Sequence, residues 1–144
     1  MSNAKTKRMK RIFKMQSRKE EQQRAVVAEA RRTVEANRRE LEAAEAQLAA
    51  PTATGERLDL ATVQFGRLLV ESGLRASAHR RALLDASMAD LEAEYATWQA
   101  ERQRANSLEK MVDRLTEEAA IEAAKAEEAL IEELSMSRRS TSHA

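Results

Sequence analysis

The longest uninterrupted helix-forming stretch of this chain covers residues 74–134, which contain no glycine, proline or cysteine. Ala, Glu, Arg, Lys, Gln and Leu dominate the stretch, and these residues have the highest helix propensities. At about 1.5 Å per residue such a helix extends about 90 Å, which is more than a compact domain of this size can enclose. We therefore expect a helix that projects as a rod.

Apolar residues recur along this stretch in steps of four and three, the spacing of a coiled-coil seam that faces one partner helix. The predicted seam comprises Leu84, Met88, Leu91, Tyr95, Trp98, Ala105, Leu108, Val112, Leu115, Ala119, Ala123, Ala126, Leu130 and Leu134. The spacing slips near Ala105 and again after Leu115, which changes the supercoil locally. A partner helix that follows these slips is most easily supplied by the same chain.

A second seam precedes the only proline of the chain. Its members recur every seven residues, with small or polar residues three positions after the later ones: Phe13, Glu20, Val27, Val34, Leu41 and Leu48, then Ala30, Asn37 and Ala44. Asn37 is the kind of polar seam residue that fixes the register of a coiled coil. Pro51 ends the first helix, and residues 52–55 supply turn-forming residues.

These patterns predict an all-α single domain: a long antiparallel two-helix coiled-coil hairpin with a short or kinked helix at the tip. The tip helix is expected because Gly66 and Gly73 each cost a helix roughly 1 kcal/mol relative to alanine. The expected boundaries are helix one over 7–50, a turn and tip over 51–73, helix two over 74–134, and a disordered tail over 135–144.

Charge is distributed unevenly along the chain. Residues 1–55 carry 13 basic and 7 acidic groups, whereas residues 56–144 carry 12 basic and 17 acidic groups. An antiparallel hairpin places these opposite charges near each other, so the asymmetry favours that fold. The basic amphipathic segment that follows Lys7 leaves three interpretations open: a solvated helix end, contact with a membrane or polyphosphate, or protein docking.

The sequence indicates a non-enzymatic protein without cofactors. The three glycines are isolated, which excludes a phosphate-binding loop, and His79 and His143 are too far apart for a zinc site. The four aromatic residues are not interleaved with the basic run, so nucleic-acid binding is not expected. No apolar window is long enough to span a bilayer and no cysteine is present, which predicts a cytoplasmic protein.

The tip concentrates bulky apolar side chains. Leu41, Leu48, Phe65, Leu69, Val70 and Leu74 provide more apolar surface than two helices can bury. This surface is either a small cap that closes the hairpin or a patch that binds a partner.

Residues 98–114, with the sequence WQAERQRANSLEKMVDR, resemble the signature of the FliJ family, in which a seam residue precedes a Leu-Glu-Lys-Leu-x-acid-Arg run. Residues 127–133 resemble the acidic motif near the end of that family, although its Asp-Glu pair is Glu132-Glu133 here. Phe13 and the seam over residues 27–48 are also similar to the family pattern.

The resemblance implies a stalk-like, chaperone-escort component of the bacterial flagellar type III protein export apparatus. Its implied partners are the export ATPase hexamer, a membrane protein of the export gate and export chaperones, with a location peripheral to the inner face of the cell membrane. Both helix termini would enter the ATPase ring. The implied partner-binding residues are Asn37, Leu41, Ala44, Leu48, Phe65, Leu69, Leu108, Glu109, Lys110, Met111 and Arg114.

Two other functions remain open from the residues alone. The first is the equivalent stalk of an injectisome, which the same motif fits. The second is a structural coiled coil that dimerises through its seam at a membrane. RNA binding by the basic segment ranks behind both, and it would show a steep dependence on salt.

Overall fold

The computed structural model describes Ser2–Ala49 and residues 59–142. The protein is all-α, as predicted: helix α1 (Ser2–Ala49) and helix α2 (Leu60–Ser142) pack against each other as a helical hairpin. The turn predicted at residues 51–55 and the apolar residue Leu58 lie outside the described residues.

One compact unit consists of Gln22–Gln99, and three contacts in it show that the helices are antiparallel. Three pairs of residues are in contact: Gln23 with Glu94, Asn37 with Leu83, and Leu48 with Gly73. The residue number increases along α1 and decreases along α2 from one pair to the next. Val34, Leu41 and Leu84 are buried together in its core, and Leu91 packs against them. The seam of α1 predicted over these residues is thus confirmed.

The other unit combines Met1–Glu21 with Ala100–Ala144. In it the Gln16 Nε2 donates hydrogen bonds to the main-chain oxygen of Glu101, at 3.2 Å, and to its carboxylate. Thr6 is buried although helix one was expected to begin at residue 7. Thr6 precedes Phe13 by seven residues and therefore occupies a seam position. Packing along the seam thus stabilises the first turns of α1, which begins at Ser2.

The predicted seam of α2 is correct at Leu84 and every seventh residue up to Ala119, and at Leu108 and Leu115. It is wrong at Met88 and Tyr95, and its last four members are exposed: Ala123, Ala126, Leu130 and Leu134. Met88 and Tyr95 are 45% and 38% exposed, whereas the residues immediately before them, Ser87 and Glu94, are buried and half-buried. The steps of four and three therefore continue without a slip through the last half-buried residue, Ala119. The irregular spacing predicted from the sequence arose because the apolar residues Met88 and Tyr95 were assigned to the seam in place of their polar neighbours Ser87 and Glu94.

Residues 60–73 are the first turns of α2 rather than a separate short helix, so α2 begins well before residue 74. Asp59 caps this end: its Oδ1 accepts a hydrogen bond from the Ala61 N–H at 3.4 Å, and its main-chain oxygen accepts one from the Val63 N–H at 3.0 Å. An aspartate at this position satisfies amide groups that have no partner inside the helix. The cap and the contact with α1 offset the free-energy cost of Gly66 and Gly73 in the helix.

The tail expected to be disordered is helical up to Ser142. Nothing in residues 135–142 breaks a helix, and the Thr141 hydroxyl donates to the main-chain oxygen of Ser137 at 3.1 Å. The lack of hydrophobic periodicity predicted disorder, but a helix that is already nucleated adds further residues at little cost in free energy.

Candidate partner-binding surfaces

Seven large apolar side chains are exposed over the first turns of α2, and we call them the α2 N-terminal surface. They are between 48% and 73% exposed: Leu60, Val63, Phe65, Leu68, Leu69, Val70 and Leu74. Single exposed apolar residues are common on proteins, but a cluster of this density is a candidate interaction site.

A groove runs between the two helices beside this surface. It has a volume of about 300 Å³ and is lined by Ala44, Gln47, Leu48, Gly66, Leu69, Val70, Gly73 and Ala76. Two of the lining residues, Gly66 and Gly73, have no side chain. A Cβ built on Gly73 would lie 2.5 Å from Leu48 Cδ2, whereas one on Gly66 would meet nothing within 4 Å. The groove can accept an apolar side chain.

The six predicted partner-binding residues near this end do not all face outward. Leu41 is buried in the core with Val34 and Leu84, so it stabilises the hairpin. The Asn37 amide donates to the main-chain oxygen of Leu83 at 3.4 Å, which suits the predicted register role. The half-buried Ala44 and Leu48 line the groove, while Phe65 and Leu69 are exposed beside it.

The five predicted residues of the FliJ-like motif lie in the other unit, on one stretch of α2. Leu108 is half-buried in the seam, so packing alone accounts for it. The remaining four are exposed: Glu109, Lys110, Met111 and Arg114. Seam packing does not account for these four, and their exposed positions allow contact with another molecule.

Two polar layers of the seam, formed by Gln23 with Glu94 and by Gln16 with Glu101, were not predicted from the sequence. Gln23 Nε2 donates to the Glu94 main-chain oxygen at 3.1 Å and to its carboxylate at 2.5 Å, which repeats the arrangement of Gln16 and Glu101. The sequence did carry a signal, because Gln16 and Gln23 extend the seven-residue repeat of Ala30 back along the chain.

The described residues offer surfaces for binding. In the part of the chain that the structure describes, no three His, Asp or Glu side chains come close enough to hold a metal ion. Neither described helix has a stretch apolar enough over sufficient length to cross a bilayer. Comparison of the chain with protein families, with curated proteins and with solved structures gives no match.

Proposed function

We propose that this protein is a non-catalytic stalk of the bacterial flagellar type III export apparatus, located in the cytoplasm at the inner face of the membrane. It binds the export ATPase hexamer, contacts a membrane protein of the export gate and escorts export chaperones. The proposal builds on the resemblance of residues 98–114 and 127–133 to the FliJ family. The antiparallel two-helix fold is consistent with it.

One observation carries the proposal: the family-like motif contains more charge than the coiled coil requires. Leu108 serves the seam, but Glu109, Lys110 and Arg114 are exposed, and none has an ion-pair partner among the described residues. Such exposed charges contribute little to stability when unpaired. A surface for a protein partner gives them a role, and the export ATPase is the partner that the resemblance implies.

The α2 N-terminal surface serves the gate in this proposal. Phe65 and Leu69 are 63% and 57% exposed, beside a groove that an apolar side chain of the partner can enter. Aromatic and aliphatic residues that insert into grooves carry much of the binding free energy in protein interfaces. The two surfaces lie in different compact units, so one chain offers separate sites to two partners.

The decisive experiment is a pull-down with a purified export ATPase, combined with measurement of hexamer formation and ATP hydrolysis. The triple variant Glu109→Ala/Lys110→Ala/Arg114→Ala is expected to lose binding at least about tenfold while retaining its helix content. Glu35→Ala/Arg38→Ala/Arg39→Ala, which removes the same charges from an exposed part of α1, is the control and is expected to bind normally. Equal binding by both variants contradicts the motif assignment.

The injectisome alternative is separated by the same assay. If an injectisome ATPase binds this chain more tightly than a flagellar ATPase does, the protein is the stalk of an injectisome. Failure to bind or stimulate either ATPase defeats both forms of the proposal. Peripheral membrane association is tested with anionic lipid vesicles, to which residues 5–19, with eight basic and no acidic groups, would bind in a salt-dependent manner.

A further inference from the structure

The last part of α2, residues 120–142, is exposed at every position, and we call it the C-terminal segment. The seam spacing nevertheless continues into it through Ala123, Ala126, Leu130 and Leu134. Leu130 and Leu134 are 57% and 59% exposed, and Ile131 beside them is 59% exposed. A stripe with this spacing buries its apolar side chains only against another helix.

Glutamates surround this stripe. At about 100° per residue, Glu122, Glu127 and Glu133 lie within about a quarter turn of it. Over residues 117–133 there are seven glutamates and one lysine. None of these glutamates forms an ion pair with another described residue. The helix that covers the stripe should therefore be apolar and flanked by basic residues.

A surface with these properties lies on α1 in the same compact unit. Lys5, Arg8, Ile12, Met15 and Lys19 follow one another in steps of three and four, so they form a second stripe beside the seam. Ile12 is 39% and Met15 is 62% exposed. The eight basic residues between Lys5 and Lys19 have no ion-pair partner among the described residues.

Met111 of helix α2 lies on the same side of the seam as this basic and apolar stripe. Met111, which is 39% exposed, directly precedes the buried seam residue Val112, just as Ile12 directly precedes the seam residue Phe13. Equivalent flanking positions of two antiparallel helices lie on the same side of the seam. Arg81 and Glu45 illustrate this in the other unit, since each directly follows a seam residue and they form an ion pair at 3.1 Å.

We propose that two copies of this chain form a symmetric dimer in which the C-terminal segment of each copy packs on the Lys5–Lys19 stripe of the other. The segment cannot reach the stripe of its own chain, because it continues α2 without a break. The acidic and apolar surface and its basic and apolar counterpart occur on the same molecule. A two-fold axis therefore satisfies both surfaces at once, which is the rule for interfaces between identical subunits.

The size of the contact agrees with a reversible dimer. The contact is no longer than the Lys5–Lys19 stripe, which extends about 22 Å, and with a width of about 10 Å it covers on the order of 220 Å² of each partner surface. Two symmetric contacts then bury on the order of 900 Å² in total, which is the size of a weak, reversible interface. Because charges frame both stripes, the association should weaken as salt screens them.

Sedimentation velocity of the full chain tests the proposal, at roughly 100 µM protein, which populates a dimer with a Kd of about 10 µM. We expect dimers at about 50 mM NaCl and monomers at about 500 mM NaCl. Glu127→Lys/Glu133→Lys should raise the dimer Kd at least about tenfold, and so should Lys5→Glu/Lys19→Glu. The control Glu128→Lys/Glu132→Lys changes the same charge on the opposite side of the helix and should leave the dimer largely intact.

Mixing the two charge-reversed variants provides the strongest test. In the mixed dimer, both contacts again join opposite charges, so we expect it to form more tightly than either variant forms with itself. A chain that stays monomeric at low salt overturns the proposal, and so does a dimer that neither reversal weakens. The inference is independent of the proposed export function, because the measurement needs only the isolated chain.

Discussion

Gly66 and Gly73 are seven residues apart, yet a methyl group added to each meets different surroundings. At Gly66 nothing lies within 4 Å, so Gly66→Ala should stabilise the protein by up to about 1 kcal/mol through helix propensity. At Gly73 the added Cβ would lie 2.5 Å from Leu48 Cδ2, and the displaced leucine should cancel that gain. Chemical denaturation followed by circular dichroism measures both changes.

A variant of the leucine separates the two contributions at Gly73. In a Leu48→Ala background the methyl group has room, so Gly73→Ala should recover the stabilisation expected from propensity alone. Equal effects of Gly66→Ala and Gly73→Ala in the wild-type background would mean that Leu48 does not pack into the glycine position.

Leu84 and Met88 test which positions of α2 form the seam. Leu84 is 9% exposed and packs with Val34 and Leu41, so Leu84→Ala should destabilise the protein by about 2–3 kcal/mol. Met88 is 45% exposed, and Met88→Ala should cost less than about 1 kcal/mol. Urea denaturation of the two variants decides the matter. Similar losses would favour the seam first predicted from the apolar spacing.

At the scale of the helix pair, the polar layers join α1 to α2 by hydrogen bonds between Gln and Glu residues. Gln23→Leu removes the donor to Glu94 and should cost about 1–2 kcal/mol, because the half-buried carboxylate loses its amide partner. The double variant Gln23→Leu/Glu94→Leu should instead be more stable than the wild type by about 1–3 kcal/mol, since an apolar pair replaces a desolvated polar pair.

The double variant is expected to lose specificity in the pairing of its helices. A seam without its polar layer accepts other registers and partners, so we expect new oligomers by sedimentation velocity although the melting temperature rises. A double-mutant cycle gives the coupling between Gln23 and Glu94. Additive single effects would show that the two side chains do not stabilise each other across the seam.

The helices and their direction could be predicted because seam residues such as Val27, Val34 and Leu41 repeat at a fixed interval. The polar members of the α2 seam could not be predicted from the sequence. Glu94 is a seam residue only because Gln23 lies opposite it, and a single helix does not reveal what faces it. The apolar neighbour Tyr95 therefore appeared the better choice. The exposed motif residues were found by resemblance, because helical periodicity distinguishes buried from exposed positions and does not identify partners.

At the scale of the whole molecule, seam packing protects only part of α2. Buried or half-buried residues recur up to Ala119 and then cease, although the helix continues to Ser142. Helices without tertiary contacts open frequently, since propensity alone stabilises them weakly. The stability of the C-terminal segment should therefore depend on intermolecular contact, while the seam depends on the chain itself.

Hydrogen exchange measured by mass spectrometry turns this difference into a prediction. At high salt, amides of residues 84–119 should exchange slowly and those of residues 120–142 rapidly, because only the former pack in the seam. At low salt and high protein concentration, residues 120–142 and residues 5–19 should gain protection together as each copy covers the other. Glu127→Lys/Glu133→Lys should reduce both gains together and leave the seam unchanged. Strong protection of residues 120–142 in the monomer would contradict this account, because the segment would then be stable without any partner.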